Sequence, residues 1–261
     1  MIEVPPTASV PSIPLGGVAT GRWSVVGAVV FTAVVLGTAM VAGNLLHYGY
    51  LAWRLGADAA LEGNAMSELA VDEQRALFAG AQLGAQVVQL ALILWLARLW
   101  HTQWRPALCL TPPHHGSGGF LKAVALLFGV KILATIIAAG FSPAPPRSEM
   151  APFLEVVSTP LAWWLFLATV TLAGATEELV FRGVLSRTLE GTSLGFWGGA
   201  ALTSLGFAAL HTQYGLGGQA VIFAIGLTLA WIRMRSGSIW PPIVCHAVNN
   251  AVALLAMRAM V

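Results

Sequence analysis

A chain of 261 residues with 57% hydrophobic and 9% charged side chains cannot coat a water-facing surface, since soluble domains carry roughly 25% charged residues. Its mean hydropathy of +0.77 makes the bilayer its solvent, and a formal net charge of +2 gives no basis for binding nucleic acid. Cys109 and Cys245 show no C-x-x-C spacing, so the cysteines imply neither a disulfide framework nor a zinc knuckle.

Residues 1–22 are rich in Pro, Ser and Gly and read as a flexible N-terminal tail. The apolar run from Trp23 to Trp53 is far longer than a signal-peptide core of about 7–15 residues, so it is expected to remain as a transmembrane helix. At about 20 apolar residues per span, helices are expected near 24–50, 76–98, 120–141, 156–181, 198–213, 219–233 and 239–257. The fifth and sixth are short, and Gly215, Gly217 and Gly218 blur the join between them. The expected fold is all-α, a polytopic transmembrane helix bundle with about seven (six to eight) spans forming one helical membrane domain over 23–257. Residues 55–74 are polar and acidic and suit a surface helix; Pro143 to Pro146 read as a loop. Pro241-Pro242 suit the first turn of the last helix, and Trp23, Trp53, Trp100 and Trp240 fit an aromatic belt.

Basic residues set the expected orientation. With a cytoplasmic N-terminus, one set of connections carries Arg22, Arg98, Arg105, Lys122, Arg182, Arg187, Arg233 and Arg235. The opposite set has Arg54, Arg75, Arg147 and Arg258. Seven spans would then put the C-terminus outside.

An ionisable residue at membrane depth costs about 2.5–3.5 kcal/mol on insertion scales, so each needs a reason. Those left after loop charges are set aside are Lys131, Glu177, Glu178, His211 and His246, with Asn249 and Asn250 as buried amides. Glu178 and Arg182 are spaced i,i+4 and should pair on one helix face. Glu177 points about 100° away, free of that partner, and suits a general base or a second structural acid. His211 ends the run Phe207-Ala-Ala-Leu-His211 and reads as an interfacial or a catalytic residue. His246 and Asn250 share a face, as helix–helix glue or as donors for an oxyanion. Lys131 is expected to snorkel toward a headgroup, and Gln82, Gln86 and Gln89 to bond between helices.

Depth favours a common site. At about 1.5 Å per residue, Glu177 lies roughly 15 Å in from Arg187, and His246 and Asn250 lie roughly 12–18 Å in from Ser238. His211 falls at a comparable depth. Independent structural residues have no reason to share a layer.

The three motifs Glu177-Glu178-Leu-Val-Phe-Arg182, Phe207-Ala-Ala-Leu-His211 and His246-Ala-Val-Asn249-Asn250, in this order on separate spans, resemble the CPBP family. That family holds type II CAAX prenyl proteases, bacteriocin-processing proteases and Abi relatives. The resemblance covers about 155–257. It implies a glutamate-dependent intramembrane endopeptidase in which Glu177 activates a water oriented by His211. His246 and Asn250 would stabilise the oxyanion, and Glu178 and Arg182 would brace the site. No cofactor is favoured: members have been labelled metalloproteases, but the H-E-x-x-H spacing is missing. Zinc on Glu177, His211 and His246 is the alternative.

The expected partners are the lipid bilayer and a membrane-associated protein or peptide substrate, cleaved near the cytoplasmic leaflet. The substrate classes that fit are a CAAX protein, a leader peptide or a C-terminal sorting tail. The Ala-, Gly- and Arg-rich composition points to a bacterial inner membrane. A non-catalytic immunity or scaffold protein of the same fold is the competing reading. A proton-relaying transporter is disfavoured by the lack of an inverted repeat.

Overall fold

The computed structural model describes residues 23–114, 117–142 and 147–259. The tail expected over 1–22 and the loop at Pro143 to Pro146 lie outside the described residues.

Helix α1, Val25–Leu55, starts at Ser24, whose hydroxyl accepts from the Gly27 amide at 3.0 Å, and stops at Gly56, with φ 98°. Two short turns, Ala57–Ala60 and Ala65–Glu68, stand where one surface helix was expected. Helix α2, Val71–Trp100, carries Asp72 and Glu73 in its first turn and Arg98 in its last, each complementing the helix dipole. Helices α3, Ser117–Ala139, and α4, Arg147–Ser158, follow.

Pro160 opens α5, Pro160–Glu178, at the position where a missing N–H costs nothing. The sequence reading ran one span through 156–181, but the chain breaks at Thr159 between α4 and α5. Past Glu178 the helix widens into a π-helical stretch, Leu179–Ser186, then closes with an α-turn, Arg187–Glu190. Helices α6, Gly195–Ala209, and α7, Gly215–Ser236, form a hairpin, and α8, Trp240–Arg258, has Pro241-Pro242 in its first turn.

Among the described residues, six helices are long and apolar enough to cross a membrane. The expected fifth span is α6, whose 15 residues reach only about 22 Å against a hydrocarbon core of about 30 Å. The protein is a polytopic all-α bundle.

Helix α5 packs between α2 and α8, while α7 packs on α3 and α6. Apolar area drives little association inside lipid, so close backbone approach has to hold such contacts. At Gly174 an added Cβ would lie 3.0 Å from the Ala247 amide nitrogen, so α5 and α8 meet backbone to backbone.

The two ends of the bundle differ. Helix termini place Arg98, Arg105, Lys122, Arg187, Arg233 and Arg235 at one end and Arg54, Arg75 and Arg258 at the other. The basic end is closed by 101–114, where Ala107, Leu108 and Cys109 are buried. The Ile239 amide donates to the Cys109 carbonyl at 2.9 Å and Ser238 Oγ to the Thr111 carbonyl at 2.6 Å. Arg187 donates to the Pro106 carbonyl. Trp23 departs from the aromatic belt: it is buried at this end, with its ring 4.5 Å from His101 and 5.4 Å from Trp100. Trp53, Trp100 and Trp240 are exposed.

Candidate active site

The close approach at Gly174 brings the end of α5 against the first half of α8, with Glu177 and Glu178 one turn further on. Glu178 Oε1 accepts from Arg182 Nη1 at 2.7 Å and from His246 Nδ1 at 2.8 Å. Glu178 and Arg182 are 0% exposed and His246 is 4% exposed. Such burial is tolerable only because the charges oppose one another and are hydrogen-bonded. The guanidinium lies 4.6 Å over the Phe207 ring, and α7 makes room for it at Gly226, where a Cβ would sit 3.0 Å from Arg182 Nη2.

Glu177 turns to the other face. Its side chain is 24% exposed, and its Oε2 lies 3.6 Å from His246 Nε2. The imidazole is thus held between adjacent carboxylates, closely by Glu178 and loosely by Glu177. Glu177 therefore has the partner that helix geometry alone did not supply. It lines a cavity of about 490 Å³, together with His211, Tyr214, His246, Asn249 and Asn250. The cavity runs toward the helix ends marked by Ser142, Gly217 and Met257, and reaches the surface at Thr135, Ala139 and Gln213, which are exposed. Among the described residues Glu177 is the one carboxylate that lines it.

His211 sits just past the end of α6, with Nδ1 2.8 Å from the Phe207 carbonyl. A carbonyl only accepts, so Nδ1 carries the proton and the neutral ring keeps its lone pair on Nε2. The ring stacks on Tyr214 at 6.3 Å and 22°. Asn250 donates from Nδ2 to the Val170 carbonyl at 3.0 Å and accepts from Asn249 at 3.2 Å. The cavity thus gathers Glu177, His211, His246 and Asn250, while Glu178 and Arg182 stand behind them.

The sequence reading sent Lys131 to a headgroup. Instead, its Nζ donates to Asn249 Oδ1 at 2.8 Å within the cavity. Tyr214 was not singled out at all; its place three residues after His211, at the turn of the hairpin, was the available signal. Gln86 accepts from Thr176 Oγ1 at 2.6 Å, joining α2 to α5 as expected of these glutamines.

The zinc alternative is less well served. Among the described residues no three His, Cys, Asp or Glu side chains gather into a metal-binding set, although the bond from His246 Nδ1 to Glu178 leaves Nε2 free and is the kind of support a metal-bound imidazole has. Glu177, His211 and His246 as they stand are not drawn together into a zinc site.

The fold and this polar layer define a multi-pass membrane protein in which Lys131, Glu177, His211 and His246 line one cavity. Residues 159–252 match the family described as Rce1-like, type II CAAX prenyl endopeptidase. The chain is similar to an uncharacterized 24.3 kDa protein of Escherichia coli, 32% identical over 136 residues. That alignment covers 51% of this chain and spans 60% of the length of the relative. No solved structure matches it.

Proposed function

We propose that the chain is an intramembrane endopeptidase that hydrolyses a peptide bond of a membrane-associated protein or peptide, with Glu177 as general base. One observation carries this reading: of two adjacent carboxylates, Glu178 is sealed in an ion cluster and Glu177 faces the cavity. Glu177 takes a proton from a water whose other hydrogen is accepted by His211 Nε2, the lone pair left by the bond to Phe207. The oxygen attacks the carbonyl carbon and negative charge moves onto the carbonyl oxygen. As the imidazolium, His246 donates from Nδ1 to Glu178 and from Nε2 toward that oxyanion. Asn250 adds its remaining amide hydrogen. Protonated Glu177 then returns its proton to the departing amine as the C–N bond breaks. Glu178 and Arg182 fix the imidazole and touch no reacting atom.

The excess of Arg and Lys at one end of the bundle supports a bacterial inner membrane with that end on the cytoplasmic side. Glu177→Gln is the decisive test. The reading expects a folded protein with processing of its substrate abolished; a folded variant that still processes would overturn the assignment of Glu177 as general base. Stoichiometric zinc in purified protein, lost on replacing His211, would restore the metal-dependent alternative.

A further inference from the structure

Lys131 lies on α3, outside the segment that matches the family, and serves no step of the hydrolysis above. It lines the same cavity as Glu177. Its Nζ donates to Asn249 Oδ1 at 2.8 Å and lies 5.7 Å from the Phe128 ring. Among the described residues it belongs to no ion pair. An ammonium has three N–H donors, and one neutral amide does not balance its charge at membrane depth.

The amide is also held in a set direction. The Val170 carbonyl can only accept, so Asn250 must give it Nδ2, which leaves Asn250 Oδ1 toward Asn249. Asn249 answers with its own Nδ2 and thereby turns Oδ1 to Lys131. Both asparagines are thus oriented from a backbone carbonyl, and the relay ends on a cation. It keeps the ammonium in the cavity and off the path to a headgroup. Asn249 follows His246 by three residues, which puts Lys131 about one helical turn from the imidazole along α8.

We propose that this cavity takes substrates bearing a carboxylate, which docks on Lys131 about one helical turn from the scissile carbonyl. This rests on the protease reading of the cavity and adds the chemistry of what enters it. A free chain terminus and an acidic side chain present the same group. Either one would supply the counter-charge that the described residues do not, in a setting where charge-assisted hydrogen bonds are strongest.

The experiment uses the full chain in lipid nanodiscs, carrying Glu177→Gln so that binding is read without turnover. Three libraries of apolar octapeptides are offered: free acids, C-terminal amides, and amides with one internal Asp or Glu. Bound peptide is quantified by mass spectrometry. The expected result is about 10-fold enrichment of a carboxylate library over the neutral amides, and the enriched library names the source of the group. Lys131→Met should abolish the preference while neutral amides bind as before, and Lys131→Arg should keep it. Lys131→Gln is the second neutral variant should Met disturb folding. Enrichment that survives both neutral substitutions overturns the proposal, as does no enrichment in either carboxylate library. The chain with Glu177 intact, given the same libraries, tests cleavage separately. Turnover without acid preference breaks the Lys131 assignment alone, whereas acid preference without turnover breaks the protease reading alone.

Discussion

The two faces of α5 carry the same chemistry in opposite conditions. Behind the helix, Glu178, Arg182 and His246 form a sealed cluster in which Glu178 Oε1 receives two charge-assisted hydrogen bonds. In front, Glu177 faces a cavity with the His246 imidazole nitrogen at 3.6 Å. Consecutive residues on a helix point about 100° apart, and that rotation alone separates a bracing acid from an available one. The sealed carboxylate is out of reach of anything in the cavity, whereas the one in front lines it.

Removing each side in turn tests that division. Glu177→Gln should lower turnover by about 10²–10⁴-fold, the range of general-base catalysis, with the thermal unfolding midpoint in detergent unchanged; a large drop in the midpoint would place Glu177 in the structural cluster. Glu178→Ala should do the reverse. It leaves Arg182 charged and buried, which costs about 3–5 kcal/mol, and activity should fall in step with the folded fraction. A stable but inactive Glu178→Ala protein would move the chemistry to the sealed face. Gly174→Ala sharpens the comparison, since its Cβ would press on the Ala247 backbone and separate α5 from α8. A loss of about 1–3 kcal/mol is expected from overpacking, together with reduced turnover from a displaced His246; unchanged kinetics would show that the spacing is not set there. Arg54→Ala, at an exposed pair with Glu73, is expected to leave unfolding and turnover unchanged, because exposed ion pairs contribute little.

Much of this was legible in the residues. Pairing of Glu178 with Arg182 followed from i,i+4 spacing, and the shared layer followed from counting depth along separate helices. Length and hydropathy marked the long spans, but α6 reads as a span until its 15 residues are seen to stop short. Lys131 and Asn249 were hidden because their meeting depends on how α3 packs against α8, a contact between residues 118 positions apart. The bond from His246 to Glu178 was hidden for the same reason, since periodicity within a helix says nothing about which neighbour its polar face meets. The conflict between a lone lysine and an apolar helix was visible, and snorkelling was its cheapest local resolution.

The π-helical stretch from Leu179 to Ser186 works as a phase shifter. A π-turn takes up more residues than an α-turn, so the helix leaves it with its faces rotated from where an α-helix would put them. The half before it is set by what the cavity needs, with Glu177 forward and Glu178 back. The half after it is set by the basic rim, where Arg187 reaches Pro106 and Glu190 reaches Arg233. One unbroken α-helix would tie these two orientations together. With the π-stretch between them, the rim can be anchored in one register and the chemistry aimed in another.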